Sequence, residues 1–382
     1  MTALFANYQR FNFEIVSGQM VTLTDNHDKQ YLDLTSGIGV CNLGYNHPVV
    51  KAAVQQQLDL VWHTSNLYQS SLQEKVATLL TAGSNKKVFF CNSGTEANEA
   101  AMKLARKATG KSAILAFDHS FHGRTYGSLS LTDNPGIKKG FGPFVPGIKF
   151  AKYNDPAALD QITDDLAAVI LEVIQGEGGL EAADGKWLQA VQAKCQAKGV
   201  LLIIDEVQTG IGRTGKLFAY QHFNLDPDIV TLAKGLANGI PVGAMIGKEK
   251  LADAFGPGSH GSTFGGNPLA MAAAKAVLET IDQPFLDDVS QKADFCWYYL
   301  QKEIAPLPMV TGISGRGLMI GIHLDTKVPV SDVIQQLQQA GVLTLSSRGN
   351  TLRLLPPLVI TGSELMQGIN TIKNVLEEAI VH

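Results

Sequence analysis

The sequence predicts an α/β protein whose core is a mostly parallel sheet covered by helices, joined to a smaller α+β unit. Three observations carry this. Between about residues 85 and 250, short β-rich runs alternate with helical patterns. One run, Val200-Leu201-Leu202-Ile203-Ile204, is apolar throughout, as in a central strand buried on both faces. The chain's 38 glycines gather in clusters beside those runs, where backbone can approach a ligand.

The expected strands are Lys87–Cys91, Ala113–Phe117, Ala167–Val173, Val200–Ile204, Ile229–Leu232 and Gly243–Ile246. Ligands of such sheets collect at the strand C-terminal ends. Residues 13 to 35 alternate as short strands, and the chain from about 285 mixes long helices with strands near 318–324, 342–345 and 351–354. The expected division is therefore 1–60 and 285–382, the two chain ends, packing together as the smaller unit around a large unit at 61–284. No repeat or low-complexity linker marks the boundaries.

Composition excludes several classes. The 382 residues are 45% hydrophobic and 17% charged, which suits a globular enzyme-sized body and excludes disorder or fibre. Lysine and arginine total 31 against 35 acids, with no basic block, so nucleic acid is not an expected partner. No apolar run approaches the roughly 20 residues of a membrane span, and residues 1–20 lack a secretory pattern, so the expected location is cytoplasmic. Cys41, Cys91, Cys195 and Cys296 form no CxxC pair, and no HExxH-like spacing occurs, so no metal is expected.

Four segments carry chemistry. Ser93-Gly94-Thr95-Glu96 follows a strand and opens a helix as a capping box; it reads as an ordinary cap or as a phosphate site made of free N–H groups and a hydroxyl. It is neither GxGxxG nor GxxxxGK[ST]. Asp205 ends the most apolar strand; it reads as a solvated cap of the next turn, or as a buried carboxylate that needs a cation, whether a metal, an arginine or a protonated ring nitrogen. Lys234, usually a solvated type, is flanked by apolar and small residues that depress an amine pKa, making it a Schiff-base candidate. Phe121-His122-Gly123-Arg124 offers a stacking face and a carboxylate-binding guanidinium, or simply a loop with a surface arginine.

Together these resemble the class III pyridoxal-phosphate aminotransferases of fold type I. The likeness runs through Ser93–Ala100, Phe121–Thr125, Gln175-Gly176-Glu177-Gly178-Gly179, Asp205-Glu206-Val207-Gln208-Thr209-Gly210, Ala233-Lys234-Gly235 and Gly261–Asn267, with weaker likeness at Asn46-His47-Pro48 and Leu352–Leu358. It implies pyridoxal 5′-phosphate as cofactor. Lys234 would hold it and then shuttle the proton; Asp205 would pair with the ring nitrogen; Gln208 would reach the phenolic oxygen. Val207 and Phe121 would pack on the two ring faces, Gly94 and Thr95 would bind the phosphate, and Glu206 would join the cofactor contacts. Thr263 would reach the phosphate of a neighbouring subunit's cofactor, with Ser262 beside the substrate, implying a homodimer with shared sites.

The same resemblance assigns the substrates. Arg353 would take the carboxylate near the ring and Arg124 the far one, with Glu177 covering Arg353 when the donor reacts through a terminal amine. Ile38 stands where ornithine δ-aminotransferases carry a tyrosine for a free α-amino group, which favours an acylated donor. The implied reaction moves the terminal amino group of N2-acetyl-L-ornithine to 2-oxoglutarate, giving N-acetyl-L-glutamate 5-semialdehyde and L-glutamate, a step of arginine biosynthesis. Ornithine, succinylornithine or 4-aminobutyrate as donor, and an aminomutase or racemase, are the alternatives. Two departures stand out: Val173 replaces the proline common after Glu172, and Leu236-Ala237-Asn238-Gly239 replaces a glycine run.

Overall fold

Apolar β-rich runs of four to seven residues, separated by amphipathic helices, build the central sheet of the computed structural model, which describes residues 2–378. Met1 and residues 379–382, the outer limits of the two expected end segments, lie outside the described residues. The chain opens with a meander of β1 (Ile15–Gln19), β2 (Thr22–Asp25) and β3 (Gln30–Asp33). Nine strands follow: β4 (Lys87–Cys91), β5 (Ala113–Phe117), β6 (Ile148–Ala151), β7 (Leu166–Glu172), β8 (Ile174–Gln175), β9 (Glu181–Ala182), β10 (Leu201–Asp205), β11 (Ile229–Leu232) and β12 (Gly243–Gly247). Seven form one sheet in the order β4-β12-β11-β10-β7-β5-β6, while β8 and β9 pair separately. β12 is antiparallel to both neighbours, and the other pairings are parallel.

Alternation along β10 explains its unbroken apolar sequence. Leu201 and Ile203 join the core formed with Ala101, Met102 and Leu104 of the helix Gly94–Thr109. Leu202 and Ile204 join the core on the other face, with Leu188 and Val191 of the helix Gly185–Lys198. Both faces are covered, so a polar residue anywhere but the strand end would be stranded without a partner. That end is Asp205. Pairing registers set it beside Glu172 of β7 and Thr231 of β11, one polar row across three adjacent strands.

The C-terminal strands β13 (Val310–Arg316), β14 (Met319–Leu324), β15 (Val342–Leu343), β16 (Leu345–Ser347) and β17 (Thr351–Leu354) complete the strand set. β13, β14, β17 and β16 form an antiparallel sheet, whereas β15 crosses to pair with β3. A separate apolar core results, in which Val21 and Leu34 of the first segment meet Ile320, Leu352, Leu354 and Ile369. Among the described residues no helix is long and apolar enough to cross a membrane.

Between β3 and the helix Pro48–Leu58 the backbone makes a left-handed turn, with φ of 42° at Ser36, 62° at Gly37, 67° at Ile38 and 73° at Gly39. Each non-glycine residue there costs about 1–2 kcal/mol, more for branched isoleucine. Side chains hold the turn: Asp33 accepts from the N–H groups of Thr35 and Ser36 at 2.8 and 2.9 Å, and Ser36 Oγ donates to the Leu355 carbonyl at 2.7 Å. Only Gly37 and Gly39 hint at this turn in the sequence.

Candidate active site

A cavity of about 430 Å³ lies over the C-terminal ends of β5, β7, β10 and β11, between the first turn of the helix Gly94–Thr109 and the turn that follows β11. Asp205 sits in its floor. Its Oδ2 receives Asn98 Nδ2 at 2.8 Å and lies 2.7 Å from His122 Nδ1, and its Oδ1 accepts the Val207 N–H at 2.9 Å. Thr231 Oγ1 donates to Asn98 Oδ1 at 2.7 Å, which fixes the amide so that its NH2 faces Asp205. In the sequence His122 and Asn98 stand only as members of their motifs; the structure makes both supports of Asp205. The signal for Asn98 was its place on the helix face toward the strand ends.

Glu172, the neighbour of Asp205 in the polar row, is a second support that the sequence reading missed. Its carboxylate accepts the N–H groups of Phe121 at 3.0 Å and Gly176 at 3.1 Å, tying two loops of the site together. Burial pushes its pKa up to about 7; His122 opposes the shift and Asp205 adds to it.

Lys234 follows β11 with φ of 45°, a left-handed conformation that turns the side chain back into the cavity. Burial pushes its amine from 10.5 down to about 8, with Glu177 opposing. The protonated amine holds no lone pair, so cofactor capture should accelerate about tenfold per pH unit below 8 and level off above it. Stopped-flow absorbance on cofactor-free protein checks this, and a flat profile between pH 6 and 8 would contradict it.

Two glycines shape the cavity. A Cβ on Gly94 would lie 2.7 Å from Val207 Cγ1, and one on Gly176 would lie 2.3 Å from Gln208 Oε1. Their absence of side chain lets Val207 close against the helix start and lets the Gln208 amide enter, where its Oε1 is buried without a partner. At the helix start Ser93 and Glu96 cap as a pair with one departure from the expected box: Ser93 Oγ accepts the Glu96 N–H at 3.3 Å, but Glu96 Oε2 accepts the N–H of Asn92, at 2.7 Å, in place of that of Ser93. The first-turn N–H groups of Gly94 and Thr95 have no intrahelical partner. Thr95 Oγ1 meets Thr125 Oγ1 at 2.8 Å, and Thr125 in turn donates to Glu99.

Arg353, on β17, is buried; its Nη1 contacts Glu177 Oε1 and donates to the Gly176 carbonyl at 3.2 Å. Burial alone would raise the Glu177 carboxyl, but Arg353 holds it below its ordinary value. Among the described residues Arg353 Nε has no partner. The exposed Arg124 guanidinium lies 5.7 Å from the Phe121 ring centre and borders both the main cavity and an adjoining one of about 470 Å³ that reaches Glu177.

Not every expected residue is brought here. Glu206, expected among the cofactor contacts, points the other way: its carboxylate accepts Thr209 Oγ1 at 2.6 Å and the N–H groups of Ala219 and Tyr220 at 3.0 and 2.8 Å. Successive residues leave a strand on opposite faces, so Asp205 and Glu206 cannot share one cavity. Ser262 Oγ accepts Asn92 Nδ2 at 3.0 Å at the cavity's edge, whereas Thr263 is exposed and apart from it. Ile38 is 42% exposed at the tip of the left-handed turn, and Val40 lines the cavity in its place.

The family model for aminotransferase class-III matches residues 5–376. The chain belongs to the class-III aminotransferases. It is 62% identical to the acetylornithine aminotransferase of Lactiplantibacillus plantarum over 98% of this chain and 97% of that one. It is 51% identical to that of Bacillus subtilis over 100% and 98%. Among solved structures it resembles the ornithine aminotransferase of Toxoplasma gondii, whose active site holds PLP at partial occupancy, with a TM-score of 0.93 and 31% identity over 98% of this chain and 92% of that one. It also resembles the N-acetylornithine aminotransferase of Stenotrophomonas maltophilia K279a, with a TM-score of 0.85 and 33% identity over 98% of each chain.

As a class-III aminotransferase the protein is a pyridoxal-phosphate-dependent transaminase with small-molecule substrates. Its cavity suits that cofactor: a lysine amine of lowered pKa, a buried carboxylate without a lysine or arginine partner among the described residues and a helix start with free N–H groups face one space. The fit rests on the chemistry of those groups. When bound, pyridoxal phosphate supplies a carbonyl carbon that takes the amino group and a ring that withdraws electrons from the substrate carbon.

Proposed function

We propose that the protein transfers the terminal amino group of N2-acetyl-L-ornithine to 2-oxoglutarate, forming N-acetyl-L-glutamate 5-semialdehyde and L-glutamate in arginine biosynthesis. The observation that carries this reading is the Arg353–Glu177 pair. A donor that reacts through its terminal amine brings no carboxylate to Arg353, and a buried guanidinium left bare is costly. Glu177 covers it. Glutamate reacts at its α-carbon, so its α-carboxylate takes Arg353 and displaces Glu177 toward the adjoining cavity. Arg124, at the junction of the two cavities, binds the distal carboxylate of glutamate and the α-carboxylate of the acylated donor.

Within the site, Lys234 would hold the cofactor through its buried amine and would then serve as the base that moves a proton at the substrate carbon. Asp205, oriented by Asn98 and His122, would accept the ring N–H; Gln208 would donate to the phenolic oxygen; Gly94 and Thr95 would bind the phosphate. Val207 and Phe121 would hold the ring faces, and Ser262 would lie beside the substrate. The named relatives and the apolar Val40 at the wall, with Ile38 above it, support an acylated donor over free ornithine.

We also propose a homodimer in the cytoplasm. Thr263 and Phe264 are exposed beside Trp62, Leu67 and Tyr68, an apolar surface suited to a second copy that would receive Thr263 at its phosphate. The four cysteines are unpaired, as a reducing compartment requires. Segment 61–284, with the large sheet, forms the cofactor-binding unit, and the described residues of 1–60 and 285–382 form the second, with Leu43 and Val50 reaching into the core of the first.

Product analysis tests the reaction. One glutamate should form per N2-acetyl-L-ornithine consumed, with an absolute need for 2-oxoglutarate. Conversion without any oxo acid would establish an isomerase, and full turnover by a protein that sediments as a monomer would overturn the shared site.

A further inference from the structure

Arg213 is the largest fully buried side chain, and its hydrogen-bond partners among the described residues are all neutral. Nη1 donates to the carbonyls of Leu318, at 3.1 Å, and Pro356; Nη2 donates to Ser36 Oγ at 3.2 Å and Asn42 Oδ1 at 2.7 Å. Burying a cation against neutral acceptors is an expensive way to join loops, and an apolar residue would do so more cheaply. What distinguishes the guanidinium is reach: a rigid fork that bonds several acceptors at fixed angles.

Those acceptors belong to three separate stretches of chain, 105 to 177 residues from Arg213, and two of them, around Ser36–Asn42 and Pro356, carry part of the site. Ser36 and Asn42 bracket the left-handed turn and Val40 of the cavity wall. Pro356 lies three residues beyond Arg353 on the chain that leaves β17. Asn42 also donates to the Ile211 carbonyl at 2.8 Å, and its amide lies where a Cβ on Gly235 would come within 2.4 Å, so it packs directly on the residue after Lys234. Arg213 itself lies on the loop that leaves Asp205 and Gln208.

We propose that Arg213 is a positioning residue for the transamination: its fork locks the Ser36–Asn42 segment, the Lys234–Gly235 turn and the Pro356 end of the Arg353 strand into one arrangement. This rests on the roles given above to Lys234 and Arg353. The device explains why the strained turn is tolerated, since Ser36 is bonded at once to Arg213 and to Leu355. Lysine keeps the charge but offers one nitrogen, which cannot span acceptors lying on both sides of the fork.

The test compares Arg213→Lys, Ser36→Ala and Asn42→Ala with Leu188→Ala, which thins the core under the helix Gly185–Lys198 and supplies a control for lost stability. Hydrogen exchange of the cofactor-free proteins is read first. The clamp predicts joint loss of protection in 33–43, 232–240 and 352–358 for the three site variants, and loss confined to that helix and the strands beneath it for Leu188→Ala. In the loaded enzymes, below the unfolding range, kcat should fall about tenfold or more for Arg213→Lys and Asn42→Ala, as expected for a misplaced reacting amine, while Leu188→Ala stays within about twofold. Lowered Tm with kcat within about twofold for those variants, or exchange confined to the Arg213 loop, would overturn the proposal. If Arg213→Lys does not fold, the Ser36 and Asn42 variants decide by the same readings. All keep Lys234, so an error in the role of Lys234 shows separately, as turnover by a Lys234 variant.

Discussion

Lys234→Ala abolishes turnover, by about a thousandfold or more, while the protein still folds. Two properties of the site lead to this expectation. Among the described residues the amine is the only lysine that lines the cavity, which Asp205 lines too, so no other group there can both hold the cofactor and carry the proton. Its burial is unfavourable in the charged form, as the drop to about 8 records, so truncation removes a cost of folding along with the chemistry. The sign follows from linkage: a lysine lowered on folding adds stability only as pH rises from about 8 toward 10.5, and the alanine variant should lose that rise. Steady-state turnover with thermal melts across pH 7–10 measures both. Near-normal multiple turnover by Lys234→Ala would remove the basis of the assignment.

Arg353→Ala should damage one half of the reaction cycle far more than the other. The half-reaction with glutamate loses a charge-assisted pair worth about 1.5–3 kcal/mol, roughly 10- to 100-fold in kcat/KM, whereas the half-reaction with a terminal amine never uses that pair. The variant also frees Glu177 from the guanidinium that holds its carboxyl low. In the parent protein the pair stabilises the fold above about 4.5, the ordinary value for glutamate, and its contribution fades as pH falls through the lowered one. Equal losses in both half-reactions, measured by single-turnover absorbance with each amino donor, would refute the exchange of Glu177 for substrate carboxylate.

Much of this was legible in the sequence because it follows from local rules. Strand β10 shows in an unbroken apolar run, the capping box in serine and glutamate three apart, and the special standing of Lys234 in its small, apolar neighbours. Strand β6 did not show: four residues at the sheet's edge, Ile148–Ala151, sit in a stretch rich in proline and glycine and pair only with β5. The polar row of Glu172, Asp205 and Thr231 was hidden for another reason, since only strand register brings it together. Glu206 misled because adjacency in sequence does not mean a shared face. Arg213 gave no signal at all, for an arginine between glycine and threonine in a turn reads as a solvated loop residue until the long-range partners are seen.

A transaminase site set for an acylated terminal amine shows itself in one half-reaction. Purified enzyme carrying its cofactor is mixed with N2-acetyl-L-ornithine, ornithine or 4-aminobutyrate, with no oxo acid present, and the cofactor absorbance is followed through a single turnover. Conversion to the amine form should be rapid and complete with N2-acetyl-L-ornithine and slow with the other two. Equal or faster conversion with ornithine or 4-aminobutyrate would rule out a site built for an acylated donor.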